Sequence, residues 1–144
     1  MTETIRIDPP VPISSSFKFT EPTKIGPYML RDDHFMFINF YELQHNPKEW
    51  IEPEEFIPER FDPESPYFKT PSGQRRNPAS YSPFLGGKRV CLGKTFAEKM
   101  SRIIFTMMVW NFDFQFQDEK FYTTKPNLNM FTNKQVEVMM NIKQ

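Results

Sequence analysis

Three features of the sequence predict an α+β chain. Thirteen of its 14 prolines precede Phe84 and only Pro126 follows it. Apolar side chains recur at three- and four-residue spacings from Phe96 to Met108, and Phe112, Phe114 and Phe116, like Val136, Val138 and Met140, alternate with their neighbours. The first feature means looped, extended backbone with short elements, the second an amphipathic helix, and the third two strands that pair antiparallel.

In chain order, Glu3 and Arg6 fall in what reads as the end of a helix, which Asp8-Pro9-Pro10-Val11-Pro12 terminates, because each proline fixes its own φ and disfavours the helical region for the residue before it. Phe17 to Thr20 and Tyr28 to Arg31 read as short strands around turns at Glu21-Pro22-Thr23 and Gly26-Pro27. Phe35 to Phe40 adds a third strand, giving a small antiparallel sheet. Tyr41 to Trp50 suits a short helix stopped at Asn46-Pro47, and Ile51 to Phe61 a further acidic turn. Asp62 to Tyr81 has no usable period and is a long loop, a length that in compact domains marks function or disorder. From Lys94 to about Trp110, the charges of Lys94, Glu98, Lys99 and Arg102 separate the apolar positions of a long helix in which Met107 and Met108 are expected in the core. Its 144 residues are enough for one compact unit or a piece of a larger one.

Charge and cysteine content exclude several functions. Eighteen Lys plus Arg balance 18 Asp plus Glu, so no whole-molecule field draws the chain to nucleic acid or an anionic membrane. The longest mostly apolar run, Ile103 to Trp110, is far short of the ~20 residues that span a bilayer. A single cysteine, Cys91, cannot form an intramolecular disulfide, and with only His34 and His45 far upstream it cannot build a zinc site.

Cys91 nevertheless stands in an unusual setting. The run Phe84-Leu85-Gly86-Gly87-Lys88-Arg89-Val90-Cys91-Leu92-Gly93 puts it behind a glycine pair and two cations, just before the long helix. The positive end of that helix and the charges of Lys88 and Arg89 favour a negatively charged sulfur, suited to a soft metal. On these grounds alone, a buried cysteine serving as a small hydrophobe is the commoner outcome.

The pattern Phe-x-x-Gly-x-Arg-x-Cys-x-Gly, filled by Phe84, Gly87, Arg89, Cys91 and Gly93, resembles the haem-ligand loop of the cytochrome P450 superfamily. Glu3-Thr4-Ile5-Arg6 followed by Pro9 to Pro12 resembles that family's Glu-x-x-Arg helix and the segment after it, and Pro58-Glu59-Arg60-Phe61 its Pro-Glu-Arg-Phe segment, in the same order. The resemblance covers nearly the whole chain. It implies that residues 1–144 are a partial cytochrome P450 domain, a C-terminal fragment of a mainly α fold that begins inside the Glu-x-x-Arg helix and lacks the central oxygen-activating helix.

By resemblance, Cys91 is the axial thiolate of haem iron and the only metal ligand from this chain, pushing electron density onto the metal. Arg89 pairs with a haem propionate, Phe84 shields the sulfur, and Gly87 and Gly93 permit the tight turn and the approach of the helix. Glu3 and Arg6 form a buried ion network with Arg60; without the resemblance, a solvated i,i+3 pair is the plainer reading of Glu3 and Arg6. Where the family often has a further arginine or histidine for a propionate, this sequence has Ser16, with Lys18 nearby.

The implied function is a haem-thiolate monooxygenase inserting one atom of dioxygen into a small apolar organic substrate, with a flavoprotein reductase as electron donor. Val11 to Ser16 and the turn around Leu128 to Thr132 are expected near the substrate, and Lys69, Arg75, Arg76, Lys88 and Lys94 offer a cationic surface to an acidic donor. If full length, such a protein sits on the cytoplasmic face of the endoplasmic reticulum through an N-terminal anchor that this chain lacks. The alternative is a truncated, non-catalytic haem-binding or interaction fragment. In either case the helix face of residues 96 to 108 is expected to lie open, in an isolated chain that is marginally folded.

Overall fold

A computed structural model of the chain describes residues 1–116 and 138–143. The expected turn at Leu128 to Thr132 and the position of Val136 lie outside the described residues. The chain divides into two compact units, residues 2–83 and residues 84 onward, a division that falls where the dense run of prolines stops.

The first unit opens with helix α1 (Thr2–Ile7), which ends as expected at the prolines, its last turn closed by the Asp8 amide donating to the Thr4 carbonyl at 3.0 Å. Four short strands follow: β1 (Phe17–Lys18), β2 (Thr23–Ile25), β3 (Tyr28–Leu30) and β4 (Phe35–Met36). They form two separate two-stranded antiparallel sheets rather than one: β1 pairs with β4 in the register Phe17 to Met36, and β2 with β3 in the register Ile25 to Tyr28. Thr23, expected in a turn, begins a strand, because the two-residue connection Gly26-Pro27 brings Ile25 opposite Tyr28. Gly26 takes the φ of +56° that such hairpin turns require at this position. Ser14 extends the pairing: its amide donates to the Ile38 carbonyl at 2.9 Å, and its hydroxyl accepts from the Ile38 amide at 2.8 Å.

Helix α2 (Phe40–Gln44) begins where the Asn39 side chain accepts from the Glu42 amide at 3.1 Å, a standard N-cap. It stops short of Asn46-Pro47, and residues 46–50 continue as a turn in which the Trp50 amide donates to the Asn46 carbonyl. The expected loop of residues 62–81 contains two single 3-10 turns, Pro66–Phe68 and Pro78–Ser80, and a third, Pro58–Phe61, precedes it. Each starts with proline, which has no N–H to leave unsatisfied and a preset φ. Ser65 and Asn77 cap two of them by accepting from the amides of Tyr67 and Ala79.

The centre of this unit is polar. Phe40 and Trp50 are its buried hydrophobic residues, whereas Glu3, Arg6, Ser14, Gln44, His45, Arg60, Thr70 and Ser80 are all buried. Large rings supply the apolar packing: the Phe61 ring centre lies 5.1 Å from that of Tyr81 and 6.0 Å from that of Trp50.

In the second unit a 3-10 turn (Gly87–Arg89) leads into helix α3 (Lys94–Asn111), followed by strand β5 (Phe112–Phe116) and its antiparallel partner β6 (Val138–Ile142), with Phe112 opposite Ile142 and Phe114 opposite Met140. The helix and both strands follow the sequence periods. Their burial does not: α3 has no buried residue, and Met107, expected in the core, is 60% exposed, with Met108 half-buried. Phe96, Ile103, Ile104, Phe105 and Trp110 are exposed as well; among the described residues α3 is met near its end by β5 and by Lys143, which donates to the Val109 and Asn111 carbonyls.

Candidate haem-ligand loop and ion network

Residues 84–93 form a tight reversal. Leu85 and Gly87 both take left-handed conformations, at φ +60° and +58°, on either side of the extended Gly86. Glycine adopts that region freely, whereas for leucine it costs roughly 1–2 kcal/mol. The reversal is closed by the Cys91 amide, which donates to the Phe84 carbonyl at 2.8 Å. The Cys91 carbonyl in turn accepts from the Lys94 amide at 3.2 Å, so the cysteine is tied by its backbone on both sides.

The Cys91 side chain is left exposed at the entry to α3, with Leu92 fully exposed beside it and Phe84 half-buried. A Cβ added at Gly93 would meet Sγ at 3.8 Å, an ordinary contact, and Gly93 has φ −80°, open to any residue. Of the two glycines expected to matter, only Gly87 is required by this backbone. Lys88 and Arg89 are exposed, and among the described residues the Arg89 guanidinium makes no hydrogen bond or ion pair. Sequence reasoning missed Leu85, since a leucine gives no hint of a positive φ.

In the first unit, Glu3, Arg6 and Arg60 meet. The guanidinium of Arg6 forks onto the Glu3 carboxylate, with Nε on Oε2 and Nη2 on Oε1, both at 2.8 Å. Arg60 Nε donates to Oε1 at 3.1 Å, and the Ile57 amide to the same oxygen at 2.9 Å. Two cations against one anion leave an excess positive charge, which backbone carbonyls absorb. Arg6 donates to those of Gln44, Pro53 and Glu55, and Arg60 to those of Ile51, Glu52 and Glu55. Burial, and then the neighbouring charge of Arg6, push the Arg60 pKa down, with the Glu3 hydrogen bond opposing them.

The buried Gln44 locks α2 to α1 by donating its side-chain amide to the Ile5 and Arg6 carbonyls, both at 3.2 Å. Nothing in the sequence separates this glutamine from a surface one. Of the expected cationic surface, Lys69, Arg75, Lys88 and Lys94 are exposed. Arg76 is not part of it: its side chain is turned inward onto three backbone carbonyls and the Trp50 ring, because the turn that begins at Asn77-Pro78 directs it there. Ser16 and Lys18 are exposed. No helix among the described residues is long and apolar enough to cross a membrane.

A family model described as Cytochrome P450 matches residues 1–142. Tabersonine 16-hydroxylase 1 of Catharanthus roseus is 35% identical over 82% of this chain and 22% of its own length. Steroid 17-alpha-hydroxylase/17,20 lyase of Rattus norvegicus is 31% identical, again over 82% of this chain and 22% of its own. A zebra fish cytochrome P450 solved with abiraterone superimposes with a TM-score of 0.75 at 25% identity, covering 99% of this chain and 32% of that one. The chain thus spans about a fifth of the length of these curated relatives.

Proposed function

Because the chain belongs to the cytochrome P450 family, a membership that implies haem as cofactor, we propose that its 144 residues are the cysteine-bearing part of a haem-thiolate monooxygenase, one that inserts an atom of dioxygen into an apolar organic substrate. The observation that carries this reading is the loop of residues 84–93, closed by the backbone bond from the Cys91 amide to the Phe84 carbonyl while the Cys91 side chain is left exposed. The donor set fits the group: one soft sulfur ligand on a hydrogen-bonded turn, and close by in sequence a guanidinium with no competing partner among the described residues.

In this reading Cys91 would hold the haem iron through its sulfur, and the haem would supply the dioxygen chemistry, tuned by electron donation from that sulfur. Arg89 holds a propionate by charge-assisted hydrogen bonds, for which its free planar fork is suited. Phe84, half-buried at the start of the loop, would shield the sulfur once the haem is bound, and Gly87 keeps the turn that presents it. The network of Glu3, Arg6 and Arg60 ties α1 to the backbone of residues 51–57 and so holds the first unit in shape. Electrons come from a flavoprotein reductase attracted to the exposed cations, and the complete protein resides on the cytoplasmic face of the endoplasmic reticulum.

A second reading is favoured by the exposure of Cys91 and of the apolar face of α3. The chain alone then presents one side of a haem site and has no autonomous activity. Both readings meet in one experiment, haem titration of the chain followed by reduction under carbon monoxide. The proposed ligand gives the red-shifted Soret band of a thiolate complex, which Cys91→Ser abolishes. Identical spectra for the two proteins overturn the ligand assignment, and a thiolate band obtained without turnover of any apolar substrate supports the second reading.

A further inference from the structure

Arg75 and Arg76 are adjacent and alike in sequence but opposite in setting. Arg75 is exposed, with no side-chain bond among the described residues, while Arg76 is drawn inward. The Arg76 guanidinium donates from Nε to the Glu49 carbonyl at 3.1 Å, from Nη2 to that of Tyr67 at 2.7 Å and, at the long end of the range, from Nη1 to that of Arg60 at 3.4 Å. Its Cζ lies 3.9 Å from the ring centre of the fully buried Trp50, close enough for a strong cation–π contact. The next residue adds a bond in the same direction, the Asn77 amide donating to the Glu49 carboxylate at 2.9 Å.

Residues 62–83 contribute little apolar burial: Thr70 and Ser80 are the buried residues of this stretch, and both bond mainly within it. The stretch is held from outside by Arg76 and Asn77, by the Tyr67 ring, 5.9 Å from the Arg60 guanidinium carbon, and by Tyr81, whose ring packs against Phe61 and Trp50 and whose hydroxyl donates to the Thr2 carbonyl at 3.2 Å. We propose that Arg76 is the latch of a strap formed by residues 62–83, joining three backbone segments to the Trp50 indole, so that its release opens the strap while Glu3, Arg6 and Arg60 stay closed. This goes beyond the haem-ligand reading and does not depend on it. A planar, five-donor fork is what the arrangement uses, which lysine cannot reproduce.

The test uses the full chain with Trp110→Phe, so that emission reports Trp50, and compares Arg76→Ala, Arg76→Lys and Arg75→Ala by acrylamide quenching and hydrogen exchange. Losing several charge-assisted bonds at once is expected to speed exchange at the Thr70, Gly73 and Ser80 amides by about tenfold or more. Trp50 becomes more quenchable in Arg76→Ala, Arg76→Lys falls between it and the parent, and Arg75→Ala matches the parent. Protection of α1 and α2 is expected to be unchanged. Three results would overturn the latch: Arg76→Ala behaving like Arg75→Ala, strap and α1 losing protection together, or a parent whose Trp50 is as accessible as in urea.

Discussion

Residues 2–83 bury charge, and residues 84–116 expose hydrocarbon. In the first unit Arg6 and Arg60 have no solvent exposure and Glu3 only 2%. In the second, Trp110 is 80% exposed, Phe96 70% and Met107 60%. The contrast inverts the usual sorting of side chains and has a physical basis. Charged groups go inside when every lone pair and proton finds a partner, as the Glu3 carboxylate and the carbonyls of residues 51–55 arrange. Apolar groups go inside only when another surface meets them, and among the described residues of the second unit the apolar side chains of α3 stay exposed. The first unit is therefore organised around its buried charges, whereas the described part of the second is organised by the backbone hydrogen bonds of a helix, a hairpin and a tight loop.

The largest expected effect follows from breaking the buried charges. Removing the Glu3 charge with Glu3→Gln leaves two guanidinium groups facing each other without a counter-ion, and the loss of one partner of a buried pair costs about 3–5 kcal/mol. That is a large share of the ~5–15 kcal/mol by which whole domains are stable. Urea unfolding followed by Trp50 emission should shift accordingly, and Arg60→Lys should not rescue the network, because one ammonium cannot serve Glu3 and the Ile51, Glu52 and Glu55 carbonyls together. Hydrogen exchange in α3 is expected to stay as it was. A drop of α3 protection in parallel would mean that the two units unfold as one.

Much of this contrast was legible in the sequence, though unevenly. The change from proline-rich to periodic sequence at Phe84 coincides with the division between the units, and the three- and four-residue spacing gave α3 nearly to the residue. The spacing says which side chains share a face and nothing about whether a surface lies opposite, so Met107 read as core and is exposed. Cys91 stood out through its glycines and cations. The meeting of Arg60 with Glu3, 57 positions apart, had no local signal and entered through family resemblance alone. Arg76 could not be told from Arg75 because what differs is the path of the backbone, set by the capped turn at Asn77-Pro78. Leu85 in a left-handed conformation is the plainest failure of propensity, and it falls in the loop that carries the candidate ligand.

That loop gives the intermediate effect, because among the described residues of the second unit it holds the positive-φ positions, Leu85 and Gly87. Gly87 at φ +58° has open space around its missing Cβ, so a substitution meets backbone strain and no clash. Gly87→Val is expected to cost roughly 1–2 kcal/mol locally, and Gly87→Asn less, since asparagine tolerates the left-handed region. The readout is exchange of the Cys91 amide, whose bond to the Phe84 carbonyl closes the reversal. Equal exchange in the two variants would show that the turn does not rely on its left-handed position.

The smallest effect is expected where the sequence is most hydrophobic. Ile103→Gln combined with Met107→Gln removes two apolar side chains that are 54% and 60% exposed, and so should change stability by no more than ~0.5 kcal/mol, against the several lost when buried side chains of this size are truncated. Glutamine is a good helix former, so the helical circular dichroism should hold while binding of a hydrophobic dye falls. The pair also measures what the first unit cannot: how much of α3 depends on local hydrogen bonding. A cooperative loss of helix in the double variant would show that Ile103 and Met107 are covered in solution, by association of copies or by some other surface, and the contrast between a charge-burying unit and an open one would then belong to the isolated chain alone.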